Sequence, residues 1–291
     1  MNNSIIDPHL HLFNLEQGHH HWLRDPGAPS WPNLDRIRRS HTEADLLAAT
    51  PYPLAGLVHI EAGFDNDHPV RELSWLQQAI THTPYRAIAY ARIDQPTADF
   101  AAAIHALQQT ALAGIRDITE GEDASRLRAP TVVQNLAHLA DQGLIFEAQF
   151  NWDNLDAAQA IADYAHSMPS LRLVLNHAGL PLQLEAWQQG LGLLHQCPNT
   201  QVKFSGLELI TAPVSAVWLL QALLEGFGDK RVMLASNFPV CHITQDYAAL
   251  WQGYRQLVAE LAETRGLSPS EQAALWQALS HSNARQCYGF T

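Results

Sequence analysis

A (β/α)8 barrel of the α/β class, formed as one domain over residues 1–291 with extra helices at the C-terminal end, is the fold this sequence predicts. Three observations predict it. Short apolar runs of strand character centre on Ile6, Leu57, Ile88, Ile115, Phe146, Val174, Lys203 and Met233. After one long first interval they recur about 30 residues apart, the length of one βα unit. Amphipathic stretches of helical period fill the intervals. A doubly wound open sheet is the alternative, but it usually has fewer strands, and no Gly-x-Gly-x-x-Gly is present.

In chain order, Ile5-Ile6-Asp7-Pro8-His9-Leu10-His11-Leu12 opens as a buried strand. The interval from Asn14 to Tyr52 is a long insertion carrying Trp22, Trp31, Pro26, Pro29, Pro32 and the run His19-His20-His21. A long loop at the C-terminal rim of a barrel often lines the site, which makes Trp31 a candidate substrate contact, although packing of the loop against the barrel explains both tryptophans equally well. Three adjacent histidines in a polar stretch are expected to be solvated.

Helices are expected over Arg71 to Ile80, Ala98 to Gln109, Thr131 to Asp141, Leu155 to His166 and Val214 to Glu225. Pro130 and Pro213 suit first helical turns, and Gly143 suits a stop after Gln142. Beyond Asn237, Tyr247 to Glu263, Pro269 to Leu279 and His281 to Tyr288 read as the last barrel helix and a closing layer.

Composition narrows the partners. The chain is 47% hydrophobic and 16% charged, with 17 Lys plus Arg against 29 Asp plus Glu, a formal net charge of -12. That balance argues against nucleic acid or an anionic membrane and for a small-molecule substrate. Cys197, Cys241 and Cys287 are far apart and lack metal-ligand spacing, as expected of a protein in a reducing cytoplasm. No run of about 18 apolar residues suggests a membrane span. A homo-oligomer is compatible with the sequence.

The chemistry gathers at strand ends, where barrel enzymes place catalytic residues. His9 and His11, spaced i, i+2, share one strand face and can flank a substrate or an ion, although two ordinary strand-end polar residues would read the same way. His59 and Glu61 share a face on the second strand, and Arg92 and Asp94 on the third. The later strands end in Arg116-Asp117, Glu147-Ala148-Gln149, Asn176-His177-Ala178-Gly179, Lys203-Phe204-Ser205-Gly206 and Ser236-Asn237-Phe238-Pro239. Charged groups inside an apolar barrel are costly unless paired or used, so their coincidence at one end of eight segments favours a function.

These residues carry a resemblance. Asp7-Pro8-His9-Leu10-His11, His59-Ile60-Glu61-Ala62, Gly114-Ile115-Arg116, Asn176-His177-Ala178-Gly179-Leu180-Pro181, Lys203-Phe204-Ser205-Gly206, Ser236-Asn237-Phe238-Pro239 and Asn283-Ala284-Arg285 resemble, in order, the amidohydrolase superfamily. The similar branch is that of 2-pyrone-4,6-dicarboxylate and sugar-lactone hydrolases. The resemblance implies a hydrolase that opens a lactone of a carboxylated or polyhydroxylated small molecule. It implies that His9 and His11 bind a divalent metal, zinc, or the substrate, and that His177 binds the same metal or polarises the scissile carbonyl. Arg116 becomes the anion or hydroxyl clamp and Lys203, one of two lysines with Lys230, a second anion-binding group. Glu147 joins the substrate-binding set, and Glu61 becomes a catalytic partner or an ion-pair partner of an arginine.

One position departs from the pattern. The family usually has Asp after Ser on the eighth strand, as metal ligand and proton acceptor, and here Asn237 stands there. A carboxamide orients a water but has no accessible basic form near neutral pH. The metal is therefore expected to be weakly bound or dispensable. Alternatives on the same scaffold are a metal-dependent non-oxidative decarboxylase and a catalytically silent binding protein.

Overall fold

A computed structural model describes residues 3–24, 26–108 and 110–291. The strands are β1 (Ile5–Leu10), β2 (Leu54–Ile60), β3 (Tyr85–Tyr90), β4 (Leu112–Ile118), β5 (Ile145–Gln149), β6 (Arg172–Leu175), β7 (Thr200–Phe204) and β8 (Val232–Leu234). They hydrogen-bond in the order β1 to β8, and the pairings of β1 with β2 and of β4 through β7 are parallel. The intervening helices are α1 (Glu43–Ala49), α2 (Val70–Ala79), α3 (Thr97–Ala106), α4 (Val132–Asp141), α5 (Leu155–Ser167), α6 (Leu184–Leu194) and α7 (Ala216–Phe227). After β8 come α8 (Tyr247–Thr264), α9 (Pro269–Gln277) and α10 (Asn283–Tyr288). This is the expected (β/α)8 barrel with C-terminal helices. Among the described residues no helix is long and apolar enough to cross a membrane.

By contacts the chain divides into two compact units, Met1–Ala87 with Met233–Thr291, and Ile88–Val232. In the first, every residue of β1 is buried, as expected of a parallel strand covered on both faces. The backbone of β1 continues past its end onto the segment after β8. The Asn237 N–H donates to His9 O at 2.8 Å and the His11 N–H to Phe238 O at 2.6 Å. In the second unit Trp152 and Trp187 stack with centroids 5.6 Å apart and planes 11° apart, and Phe227 packs beside Trp152. Aromatic pairs of this kind contribute about 0.5–1.5 kcal/mol beyond their burial.

Helix ends follow local chemistry. Thr42 and Asp45 form a capping box on α1, and Ser268 and Glu271 form one on α9, where Pro269 takes the first helical position. Gly143 has φ +67° just beyond α4, as its place in the sequence suggests. Pro213 lies short of α7, which Ser215 caps instead. The expected end of α3 at Gln109 falls outside the described residues. Two helices escape a pattern reading. The first, α1, lies inside the insertion; the second, α6, holds Gly190 and Gly192, which mask its helical period. Gly190 is required there, because a Cβ would lie 2.1 Å from Trp152 O.

Candidate active site

In the first unit, β1 ends in two buried imidazoles, His9 and His11, whose centroids lie 5.1 Å apart in an edge arrangement. His11 Nδ1 is 2.8 Å from Ile60 O and its Nε2 is 3.2 Å from the Asn237 side-chain amide. A carbonyl only accepts, so Nδ1 carries the proton. In the neutral ring Nε2 then holds a lone pair directed at Asn237 Oδ1, which is itself an acceptor. An Asp at position 237 would place a charged acceptor there. Asn237 is itself held at φ +57°.

His59 fills a positioning role. The Leu12 N–H donates to its Nδ1 at 3.2 Å, so Nε2–H donates to Glu72 Oε1 at 3.0 Å, and Glu72 also accepts the Ala62 N–H at 2.9 Å. Glu72, on α2, thereby fixes the segment carrying Glu61, which is buried just past β2. Sequence reasoning missed Glu72, since nothing in a helix pattern marks an inward carboxylate. Asp7 accepts from the Ser236 N–H at 3.1 Å and the Tyr247 hydroxyl at 3.0 Å, and burial raises its pKa to about 6.

The insertion packs onto the end of β2. Trp22 donates its indole N–H to Ala62 O at 2.9 Å and meets Trp31 edge-on at 6.0 Å, with both rings half-buried. Of the three adjacent histidines, His19 and His21 are exposed as expected. His20 is not: it is buried, with Nδ1 2.9 Å from Ala62 O. The correction has a physical reason, since the left-handed backbone of His20 turns its ring inward against Phe13 and Phe64.

In the second unit the segment after β6 is strained. His177, Ala178, Gly179 and Leu180 have φ of +54°, +51°, +71° and +44° in succession. Non-glycine residues there cost about 1–2 kcal/mol each, and such strain persists where surroundings over-determine it. The Trp187 indole donates to Ala178 O at 2.8 Å, the Trp152 N–H to Gly179 O at 3.0 Å, and the Asn151 amide to Leu180 O at 2.9 Å. The turn holds the buried His177 ring with Nδ1 3.0 Å from Ser205 Oγ.

Beside it the strands present charge. Lys203 Nζ lies 2.5 Å from Glu147 Oε2, both side chains fully buried. Arg116 is buried and donates to Gln149 Oε1 at 2.8 Å, while Gln149 donates to Glu120 Oε1 at 2.7 Å, a chain that fixes the guanidinium. Arg92 closes its fork on Asp94 at 3.0 and 2.9 Å. Asp117 faces outward to Arg126 at 3.0 Å, yet burial outweighs that cation and raises its pKa to about 6.

The donor set does not fit a tightly held divalent metal. His11 Nε2 and Asn237 Oδ1 lie 3.2 Å apart as two neutral ligand donors, and position 237 offers that amide in place of a carboxylate, so the charge that would hold the cation tightly is absent there. Among the described residues no group of three or more His, Cys, Asp or Glu side chains is arranged to hold an ion.

Each unit carries buried polar groups at its strand ends: His9 and His11 in the first, His177 on its strained turn and the oriented Arg116 in the second. The chain belongs to the Amidohydrolase family, whose model matches residues 6–290. An uncharacterized protein of Sinorhizobium fredii, y4mH, is 30% identical, with 98% of each chain covered. An L-fucono-1,5-lactonase of Burkholderia ambifaria is 24% identical over 81% of this chain and 85% of its own. A crystal structure of an amidohydrolase from Burkholderia multivorans with bound zinc superposes with a TM-score of 0.76 at 21% identity, covering 99% of this chain and 100% of that one.

Proposed function

We infer that this chain is a carboxylic-ester hydrolase that opens the lactone of a polyhydroxylated or carboxylated small molecule by water attack. The observation that carries the reading is the presentation of His177 on a strained turn beside Ser205, with the fixed guanidinium of Arg116 at another strand end of the same unit. The similarity to L-fucono-1,5-lactonase supports the substrate class.

In this reading Arg116 binds the substrate's carboxylate or hydroxyls, which its planar fork suits. His177 takes a proton as water adds to the lactone carbonyl, then returns it to the ring oxygen as the C–O bond breaks, and the product is the open hydroxy acid. Ser205 keeps the His177 ring in register. Lys203, with Glu147 as its counter-ion, lends positive potential to the oxyanion. Glu61 is the second candidate proton acceptor. No step is routed through a metal, and zinc, where it binds, is weak or dispensable.

The test is a panel of sugar-acid and aromatic-derived lactones, followed by proton release with and without chelator. Turnover insensitive to chelator, and reduced at least about 100-fold in His177→Asn, is expected. Release of carbon dioxide without lactone opening would assign a decarboxylase. Binding without turnover would assign a silent relative.

A further inference from the structure

Asn176 is the residue before His177, and its backbone is fully used: its N–H donates to Ala148 O and its carbonyl accepts the Gly179 N–H, both at 3.0 Å. Its side chain is 1% exposed, and among the described residues neither Oδ1 nor Nδ2 has a hydrogen-bond partner. Asn135 and Asn199 each leave an oxygen unmatched, but both donate their NH2 groups to backbone carbonyls. A buried polar group left unsatisfied destabilises the fold, and a leucine of similar volume would not incur that cost.

The register says what shares its face. Glu147 pairs with Val174 and Leu175 with Val202, so one residue further along β6 Asn176 stands level with Lys203 and on the Glu147 side of the sheet. Its amide thus belongs to the polar face that carries the buried Lys203–Glu147 pair, and its own partners are missing. A planar carboxamide offers one donor and one acceptor side by side. The complementary ligand presents an acceptor and a donor on neighbouring atoms, as a lactone carbonyl and a hydroxyl on the adjacent carbon do. A lactone whose other substituents are carboxylates supplies acceptors only.

Resting on the lactonase reading, we propose that the Asn176 amide is a specificity-determining contact that binds a carbonyl together with the neighbouring hydroxyl, selecting 2-hydroxy lactones. The amide donates to the carbonyl and accepts from the hydroxyl.

The experiment compares an aldono-1,5-lactone with its 2-deoxy counterpart in the wild type and in Asn176→Leu, alongside urea unfolding of both ligand-free proteins. The wild type is expected to favour the 2-hydroxy lactone by about tenfold or more in kcat/KM, because a site built to hydrogen-bond a hydroxyl rejects the analogue lacking it. Asn176→Leu should bring that ratio close to one while being as stable as the wild type or more so. Retained discrimination in Asn176→Leu overturns the proposal, as does a clear loss of ligand-free stability, which would mean the amide is tied into the fold. Should the wild type open neither lactone, the lactonase reading fails by itself. Calorimetry with the 2-hydroxy acid and its 2-deoxy analogue then decides the Asn176 contact, and equal affinities in the wild type would overturn it.

Discussion

Lys203 and Glu147 are 56 residues apart in sequence and 2.5 Å apart in space, joined between β7 and β5 with both side chains fully buried. Alternate strands supply one layer of a barrel interior, which is why strands five and seven meet here. Each charge is worth keeping only with the other present, because desolvation of a lone ion costs several kcal/mol.

Glu147→Gln should therefore destabilise the protein by about 3–5 kcal/mol, by leaving the buried ammonium without its carboxylate. The double variant Glu147→Leu with Lys203→Met should recover much of that loss. Urea midpoints of the two variants check this, and a double variant less stable than Glu147→Gln would contradict it.

Gly206 has φ +66°, and a Cβ on it would lie 2.6 Å from His177 Cγ. Gly206→Ala must displace the His177 ring and strain its own backbone. A stability loss of about 1–3 kcal/mol is expected, with kcat on the true substrate reduced at least about tenfold. Unchanged kcat would remove His177 from the chemistry or show that the ring tolerates the shift.

His41 is buried between Phe13 and Phe238, and burial first, then Arg39 and His242, lower its pKa to about 4 from 6.5. The unfolded chain then binds a proton between pH 6.5 and 4 that the folded chain does not. Stability from this residue is thus present above pH 6.5 and is lost as pH falls, by up to about 3 kcal/mol. His41→Phe should lose less stability than the wild type between pH 7.5 and pH 5, because it has no ring to protonate. Equal acid sensitivity of the two proteins in urea titrations would refute the assignment.

Asn237→Asp places a carboxylate where an amide now meets His11 Nε2. Zinc affinity should rise by at least about tenfold, read by calorimetry on chelator-stripped protein, since an anionic ligand suits the cation better than a neutral amide. Stoichiometric zinc already held by the wild type would show that the amide is no handicap to a metal.

The sequence by itself determined the eight strands, each centred where its period placed it, and the line of polar residues at their ends. Both follow from local rules: burial on two faces makes β1 and its successors apolar runs, and the alternation of side chains tells which strand-end residues share a face. What tertiary structure alone decided is partnership. Periodicity says that Glu147 and Lys203 point inward, but only the register of strands five to seven joins them. In the same way Glu72 reaches His59 from a helix whose pattern marks it as surface, and the Asn237 amide meets His11 across 226 residues of sequence. Hydrogen bonds and ion pairs act over about 3 Å, a length set by packing and register and not by spacing along the chain.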